Sequence, residues 1–427
     1  MKNQSSIHKK SLEIKYANSQ DLLEAGKISY EWAARMMKII TKITEKYQRS
    51  TPLANFKLGF CLHITKETSV LIMAAKALGA HISICSANPL SVQPDIMEFL
   101  RYNEIEVFAK RDPSRIEFFQ NMIKVANSNA HIITDDGGEL HTIVHKRKIK
   151  GILAGTEQTT SGIFRIISLK SKIGLDYPII GVNNAKSKHF FDNRYGTGQS
   201  TIYGLLKILG ILIAGKHFVV CGYGWVGKGV SSCLRGLGAR VTITEVDPIK
   251  ALEAYMDGFN VQRLKETLPN GDCFITCTGQ RNVITQYDFQ NLKNGAFLAN
   301  AGHFDVEIDV NYLYARNKQP VQLRPCVESF NIKGKTINLI AKGRVINLVG
   351  VEGNASEVMD LSFSNQLLSI LYLTKNYKNL EKDLHQVPVE IDKKVAQMAL
   401  LSFGIKIDKL TKGQIEYHSN ASVSFEK

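Results

Sequence analysis

Gly222, Gly224 and Gly227 stand in G-x-G-x-x-G spacing, and an acid, Glu245, follows 23 positions after the first of them. The first glycine allows a tight turn. The second lets backbone approach a pyrophosphate, and the third lets a helix pack closely on a strand. A helix N-terminus offers free N–H groups and the positive end of its dipole to phosphates. An acid at this distance accepts hydrogen bonds from ribose hydroxyls, whereas an arginine there would suit a 2′-phosphate. The pattern therefore implies NAD. Five further side chains could move protons: His63, Asp136, Lys188, Asp192 and His303. Oxidising an alcohol requires a group that takes the hydroxyl proton, and a lysine desolvated near a cation can do so. A histidine and a carboxylate could handle a second proton. Each of the five also fits a plainer role, as a capping or packing histidine or as a solvated loop residue.

The elements that would position these groups can be read from apolar periodicity. Phe218 to Cys221 is an apolar run suited to a buried parallel strand. Val226, Val230, Cys233 and Leu234 then recur at helical intervals, and Arg240 to Thr244 forms a second apolar run before Glu245. Residues 1 to 50 read as helical, with Tyr30, Ala33, Ala34, Met37 and Ile40 near one face. From 56 to 155 strands and helices alternate. Strands are expected at Phe56–Leu62, Ala80–Cys85, Val107–Ala109 and Ala130–Thr134. Helices are expected at Thr68–Leu78, Ile96–Tyr102 and Phe118–Ala126. That is a doubly wound pattern, in which ligands bind beyond the carboxyl ends of strands. The residues from 151 to 200 are richer in polar side chains. A helix over 200–214 leads into the glycine turn, strands follow at Asp272–Thr278 and Ala296–Asn300, and Ser356–Leu373 reads as a helix. From Leu384 the sequence is basic and mixed.

Composition narrows the class. At 427 residues with 44% apolar content, the chain can bury a large core and reads as two domains. Met1 to Lys10 has no apolar stretch of the secretory kind, and Ile202–Ala214, the most apolar segment, is short and interrupted by Lys207. Seven cysteines without C-x-x-C or zinc-finger spacing read as reduced, mostly buried thiols of a cytoplasmic protein. The net charge of +15 raises nucleic acid as a partner. Its basic residues are dispersed, however, and lack interleaved aromatics. The one dense run, His145 to Lys150, reads as a solvated loop or helix end.

Over nearly its whole length the chain resembles the S-adenosyl-L-homocysteine hydrolase family. The blocks that carry the resemblance are Cys61 to Thr68, Asn88 to Gln93, Asp135 to Leu140, Glu157 to Gly162, Phe191 to Ser200, the glycine turn, Thr244 to Pro248, Gly302 to Asp309 and Glu357 to Phe363. The resemblance implies an α/β fold of two doubly wound Rossmann-like domains with parallel sheets and a short C-terminal tail. Residues 1–190 and 352–400 would bind substrate, 191–351 would bind NAD, and 401–427 would be an oligomerisation tail. It implies redox-assisted elimination: tightly held NAD, one per subunit, takes hydride from C3′ of the adenosyl ribose. The ketone acidifies the C4′ proton, homocysteine leaves C5′, water adds, and the hydride returns.

By the same resemblance Lys188 would assist loss of the 3′-hydroxyl proton, with Asp192 beside it. His63 and Asp136 would handle the C4′ proton and the leaving group or water, and His303 would sit at the mouth between the domains. Thr65 and Glu67 would meet the adenine edge, with Gln158, Asn354, Met359 and Phe363 also in the substrate site. Thr159, Thr160, Ser161, Asn193, Gly222, Gly224, Trp225, Val226, Gly227, Glu245, Ala301 and Asn347 would hold NAD. No metal, nucleic acid or membrane is implied, and a homotetramer or dimer is. The chain departs from the family pattern at Gln158, where a second glutamate is usual, and at Gly353-Asn354-Ala355, where Gly-His-Pro is usual. Asn184, Lys250 and Thr197 are smaller departures. Three other functions fit these residues: a paralogue acting on another nucleoside or thioether, an NAD-binding regulatory pseudoenzyme, and a plain NAD-linked alcohol dehydrogenase.

Overall fold

The computed structural model describes residues 18–419, so the readings made for Met1–Lys10 and for 420–427 lie outside the described residues. Two sheets organise the chain. The first contains β1 (Lys57–Cys61), β2 (His81–Cys85), β3 (Glu106–Phe108), β4 (Ile132–Asp135), β5 (Ala154–Glu157), β6 (Ile179–Gly181) and a distant last strand, Leu384–Gln386. The second contains β7 (His217–Cys221), β8 (Arg240–Thr244), β9 (Asn260–Val261), β10 (Cys273–Thr276), β11 (Ala296–Asn300), β12 (Val321–Arg324), β13 (Val327–Ile332) and β14 (Lys335–Ile340). With the distant strand numbered β15, the first sheet runs β15-β6-β5-β4-β1-β2-β3 and is parallel throughout.

The second sheet runs β12-β13-β14-β11-β10-β7-β8-β9. Its β7 to β11 and β14 pair in parallel, as expected, but β13 pairs antiparallel with both β12 and β14. The cause is local. Only Lys333 and Gly334 separate β13 from β14, and both have positive φ (51° and 82°). Two such residues make a hairpin turn and leave no length for a crossover.

Both sheets are buried on two faces, which is why their strands read as apolar runs. Phe218 and Val220 join one apolar cluster, whereas Val219 and Cys221 join another on the opposite face. The expected helix over 200–214 is shorter, Thr197–Leu209, because Gly210 takes a left-handed conformation (φ 60°) and ends it. The mixed tail is more regular than its composition suggested, with β15 followed by a helix over Val389–Ser402. His145, read as part of a solvated run, is buried: Nδ1 donates to the His141 carbonyl (2.7 Å) and Nε2 accepts from the Asp176 N–H (3.1 Å). All seven cysteines are unpaired, four of them buried. Among the described residues no helix is long and apolar enough to cross a membrane.

The helix Ser356–Asn376 ties the chain's ends together, since most of its side chains are buried. Its Asp360 reaches across the sequence to the helix Lys38–Tyr47, whose own cap residue, Met37, offers no side-chain acceptor. Asp360 accepts from Ile39 N–H (2.7 Å) and Ile40 N–H (2.9 Å), filling the place of a local N-cap. Asp360→Ala would strand two buried donors and is expected to cost about 2 kcal/mol. Chemical denaturation of the variant beside the parent measures this.

Candidate active site

Each sheet reverses its strand order once, between β1 and β4 in the first and between β7 and β10 in the second. Such switch points open a crevice beyond the strand ends. Loops from both crevices line one cleft of about 630 Å³. His63 and Thr65 follow β1, Asp136 follows β4, Tyr223 and Gly224 follow β7, and Thr278 and Gly279 follow β10, all in the cleft wall.

The cleft gathers all five proton-moving candidates. Lys188, 3% exposed, lies on the short helix Lys186–His189. Asp392 fixes that helix by accepting from the backbone N–H of Lys186 (2.7 Å) and Ser187 (2.9 Å). Lys188 Nζ faces three acceptors: Asn193 Oδ1 at 3.1 Å, Asn183 Oδ1 at 3.2 Å and Asp192 Oδ2 at 3.3 Å. Asp192 starts a wide helical turn, in which Gly196 N–H reaches back to the Phe191 carbonyl (3.0 Å). Its two oxygens accept from Asn354 Nδ2 (2.8 Å) and Ser362 Oγ (2.7 Å).

Opposite this pair, His63 Nε2 lies 3.7 Å from Asp136 Oδ2, and His303 Nδ1 lies 3.7 Å from Asp136 Oδ1. His63 Nδ1 meets Ser91 Oγ at 2.6 Å, while that hydroxyl donates to the Asn88 carbonyl (3.0 Å). The network thus assigns the ring proton to Nδ1 and leaves the Nε2 lone pair facing Asp136. Burial lowers His303 to about 4, against the opposing pull of Asp136, so its imidazole is neutral at pH 7. Asn300 shapes the His303 loop: its Nδ2 donates to the carbonyls of Phe304 (2.9 Å), Gly343 (3.0 Å) and Gly302 (3.2 Å). Asp136 Oδ1 is buried without a hydrogen-bond partner, an acceptor left open to the cleft.

The residues expected at the substrate lie in the same wall. Glu67 is buried, with Oε1 accepting from Ser356 Oγ (2.8 Å) and facing Lys66 Nζ (3.1 Å). Thr65 caps the helix Lys66–Ala77. Gln158 is buried with neither amide atom partnered, and Met359 and Phe363 add an apolar strip. Asn354 bridges Asp192, Thr197 and Ser200, so an uncharged amide now performs the joining at this departure from the family pattern.

A dinucleotide fits the other half. Gly222 has φ 102°, open to glycine. A Cβ at Gly227 would overlap the Gly222 carbonyl oxygen, whereas one at Gly224 would meet no protein atom. The first and third glycines therefore shape the turn, and the second lines the cleft. The helix Trp225–Gly236 has no side-chain cap, leaving its first N–H groups free for phosphate. Glu245 is held at the end of β8 by the N–H groups of Tyr223 (2.6 Å) and Val246 (2.8 Å). It is half-buried beside the turn, while Trp225, Val226, Ala301 and Asn193 line the cleft. Thr159, Thr160 and Ser161 line it from the first sheet, with Thr159 capping the helix Thr160–Ile173. Asn347 Oδ1 is buried and unpartnered, an acceptor suited to a ligand amide.

Several contributors escaped the sequence reading. Ser91 and Ser362 orient His63 and Asp192 across 28 and 170 residues, which no local pattern signals. Glu307 gathers the backbone N–H of Thr278 (2.9 Å) and Gly279 (2.8 Å) and so shapes the loop after β10. Like Ser91 and Ser362 it lies within a stretch that resembles the family, but nothing in its spacing marked this role.

Comparison with known proteins shows the family. A family profile described as S-adenosyl-L-homocysteine hydrolase matches residues 17–154, and one described as S-adenosyl-L-homocysteine hydrolase, NAD binding domain, matches 193–353. A protein of Sulfolobus acidocaldarius named adenosylhomocysteinase is 45% identical over 398 residues, covering 93% of this chain and 96% of that protein. Proteins of the same name from Aquifex aeolicus (44% over 404 residues, 93% and 97% covered) and Thermotoga maritima (41% over 399 residues, 92% and 99% covered) are similar to it as well.

Proposed function

The chain belongs to the S-adenosyl-L-homocysteine hydrolase family, and on that premise we propose that its cleft carries out NAD-dependent, reversible hydrolysis of S-adenosyl-L-homocysteine to adenosine and L-homocysteine. The observation that carries the reading is the facing of two proton-handling groups, Lys188–Asp192 and His63–Asp136–His303, across a cleft that also holds an open glycine turn. Residues 1–190 and 352–400 form the substrate-binding part and 191–351 the NAD-binding part.

When bound, NAD supplies a two-electron acceptor for the hydride at C3′ and returns it at the end of the cycle. Lys188, as the neutral amine, takes the 3′-hydroxyl proton, and Asp192, pinned by Asn354 and Ser362, fixes where Nζ sits. Loss of the C4′ proton then expels the thiolate from C5′. Asp136 accepts the C4′ proton, with neutral His303 beside it. His63 Nε2, facing Asp136, takes that proton on and passes it to the departing sulfur, then takes one from the entering water, which returns to C4′ by way of Asp136. Glu67 and Thr65 read the adenine edge. Tight closure of the cleft keeps bulk water from the 3′-ketone.

Incubating the purified protein with S-adenosyl-L-homocysteine tests this by release of free thiol alongside absorbance of enzyme-bound NADH. Absence of thiol, with NADH accumulating on another nucleoside, would overturn the substrate. Gln158 refines the test, because its two orphaned amide atoms stand where the family's second glutamate does. Gln158→Glu is expected to raise kcat/KM on this substrate by about 10-fold, the worth of one charge-assisted hydrogen bond. A fall would point to a ligand that uses the amide.

Exposed Leu401, Phe403, Ile405, Ile407, Leu410 and Ile415 form an apolar strap that packs little against the rest of the described chain. The strap is the docking element of a homo-oligomer, a tetramer or dimer, of a cytoplasmic enzyme. Size-exclusion chromatography with light scattering reads the assembly.

A further inference from the structure

Beneath the loop that carries Asp136 lies a polar group that no reaction step uses. Asp135 and Glu157 are register partners at the ends of adjacent parallel strands β4 and β5, and both are fully buried. Glu157 Oε1 accepts three hydrogen bonds, from Gly137 N–H (2.9 Å), Thr159 N–H (2.9 Å) and Thr159 Oγ1 (2.8 Å). It therefore joins the loop after Asp136 to the threonine run. Asp135 accepts from Asp136 N–H and His141 N–H, each at 3.0 Å. Glu157 Oε2 is buried and has no hydrogen-bond partner.

Oxygens of both carboxyls and a ring nitrogen of His141 lie within 4.8 Å of one another, a spacing that a metal ion could span. His141 has no lone pair to give. Its Nε2 must donate to the Thr156 carbonyl (3.1 Å), and its Nδ1 then accepts from the Tyr177 hydroxyl (3.1 Å). The imidazole is neutral, and burial holds it down at about 3. The other groups that face the carboxyls add no positive charge: Cys61 on β1, Asp136 in the loop, Glu139 on the following helix, and Tyr177. Glu139 is itself engaged by Arg165 at 3.2 Å. Two bare carboxylates here would be adjacent buried like charges with hydrogen bonds but no cation to balance them, which a protein interior disfavours.

We propose that Asp135 and Glu157 share one proton, carried on Glu157 Oε2 toward Asp135. The neutral clasp so formed is a positioning device that sets the Asp136 loop against the cofactor's threonine run. Its catalytic meaning rests on the roles proposed above for Asp136 and Thr159; its protonation does not. Burial supports the assignment, raising Glu157 well above the usual carboxylate range and Asp135 to about 7. Groups that hold protons more tightly when folded favour the folded chain below their unfolded values near ~4, and lose that contribution as pH rises through ~7.

The test compares the full-length chain with Glu157→Ala and Glu157→Gln, reading kcat, KM, retained NAD and melting temperature against pH. An amide keeps the acceptor toward Gly137 and Thr159 and supplies a permanent N–H donor toward Asp135. Glu157→Gln should therefore restore most of what Glu157→Ala loses, expected to be about 100-fold in kcat from a misplaced loop. It should also flatten the fall in melting temperature between pH 5 and 8. If Glu157→Gln is as impaired as Glu157→Ala, or keeps the parent's pH slope, an ionised carboxylate is required and the clasp is refuted. If the parent itself releases no thiol, the proposed function fails, while the pH slopes still decide the clasp.

Discussion

Lys188→Ala is expected to abolish reduction of bound NAD by a nucleoside ligand while the protein remains folded and keeps its cofactor. Three acceptors converge on Nζ, from Asn183, Asp192 and Asn193, so Nζ is fixed rather than free to sample the cleft. Alanine removes the one lysine amine paired with Asp192 among the described residues, and with it the group assigned to the 3′-hydroxyl proton. The loss should be on the order of 1,000-fold in kcat, within the range for a positioned acid–base group. Asp192 stays tied to Asn354 and Ser362, so the cleft wall need not collapse. Stopped-flow absorbance of NADH after adding adenosine, beside a thermal melt, separates chemistry from folding. Turnover equal to the parent's would remove Lys188 from the mechanism.

The second large effect comes from Gly224→Val. Gly224 has an ordinary φ of −71°, and an added Cβ meets no protein atom within 4 Å, so neither backbone nor neighbours oppose a side chain at its first carbon. The space it would fill is the space a pyrophosphate needs. The variant should melt like the parent without cofactor yet bind NAD on the order of 100-fold more weakly, the upper end of what overpacking costs. Titration calorimetry on stripped protein measures it. Equal NAD affinity would show that the dinucleotide does not pass over this turn. Gly227→Val is no substitute for this experiment, because its side chain would strike the Gly222 carbonyl and disturb the fold itself.

Four strands of each sheet could be read from the sequence, β1 to β4 in the first and β7, β8, β10 and β11 in the second. Apolar runs such as those of β7 and β11 need both faces covered, and that need shows in the sequence itself. β5 is Ala-Gly-Thr-Glu and carries no such signal. It is a strand because the helix Ser356–Asn376 covers it, with Gln366 Nε2 donating to Thr156 Oγ1 (2.5 Å). Tertiary burial here overrides weak propensity. β6 and β15, three residues each, are too short for alternation to declare itself. The hairpin of β13 and β14 was within reach, since Lys333-Gly334 is turn chemistry between two apolar runs.

At the site, the polar residues just past strand ends could be anticipated from the doubly wound pattern alone. Their roles came from a family resemblance. The residues that orient them could not be found either way, because Ser362 meets Asp192 and Asp392 meets Ser187 only after the chain has returned from the second sheet.

That return has a consequence for how the chain is made. β15 pairs with β6, Leu384 opposite Ile179 and Gln386 opposite Gly181, and no other strand among the described residues covers that edge. A ribosome delivers the partner about 200 residues late, roughly 10–40 s at ordinary elongation speeds. Through that interval the nascent first sheet presents an unpaired flank, the kind of surface on which neighbouring chains can polymerise. Chaperone demand in the producing cell should therefore peak before termination, and a message truncated just upstream of codon 384 should yield aggregates rather than a smaller soluble enzyme.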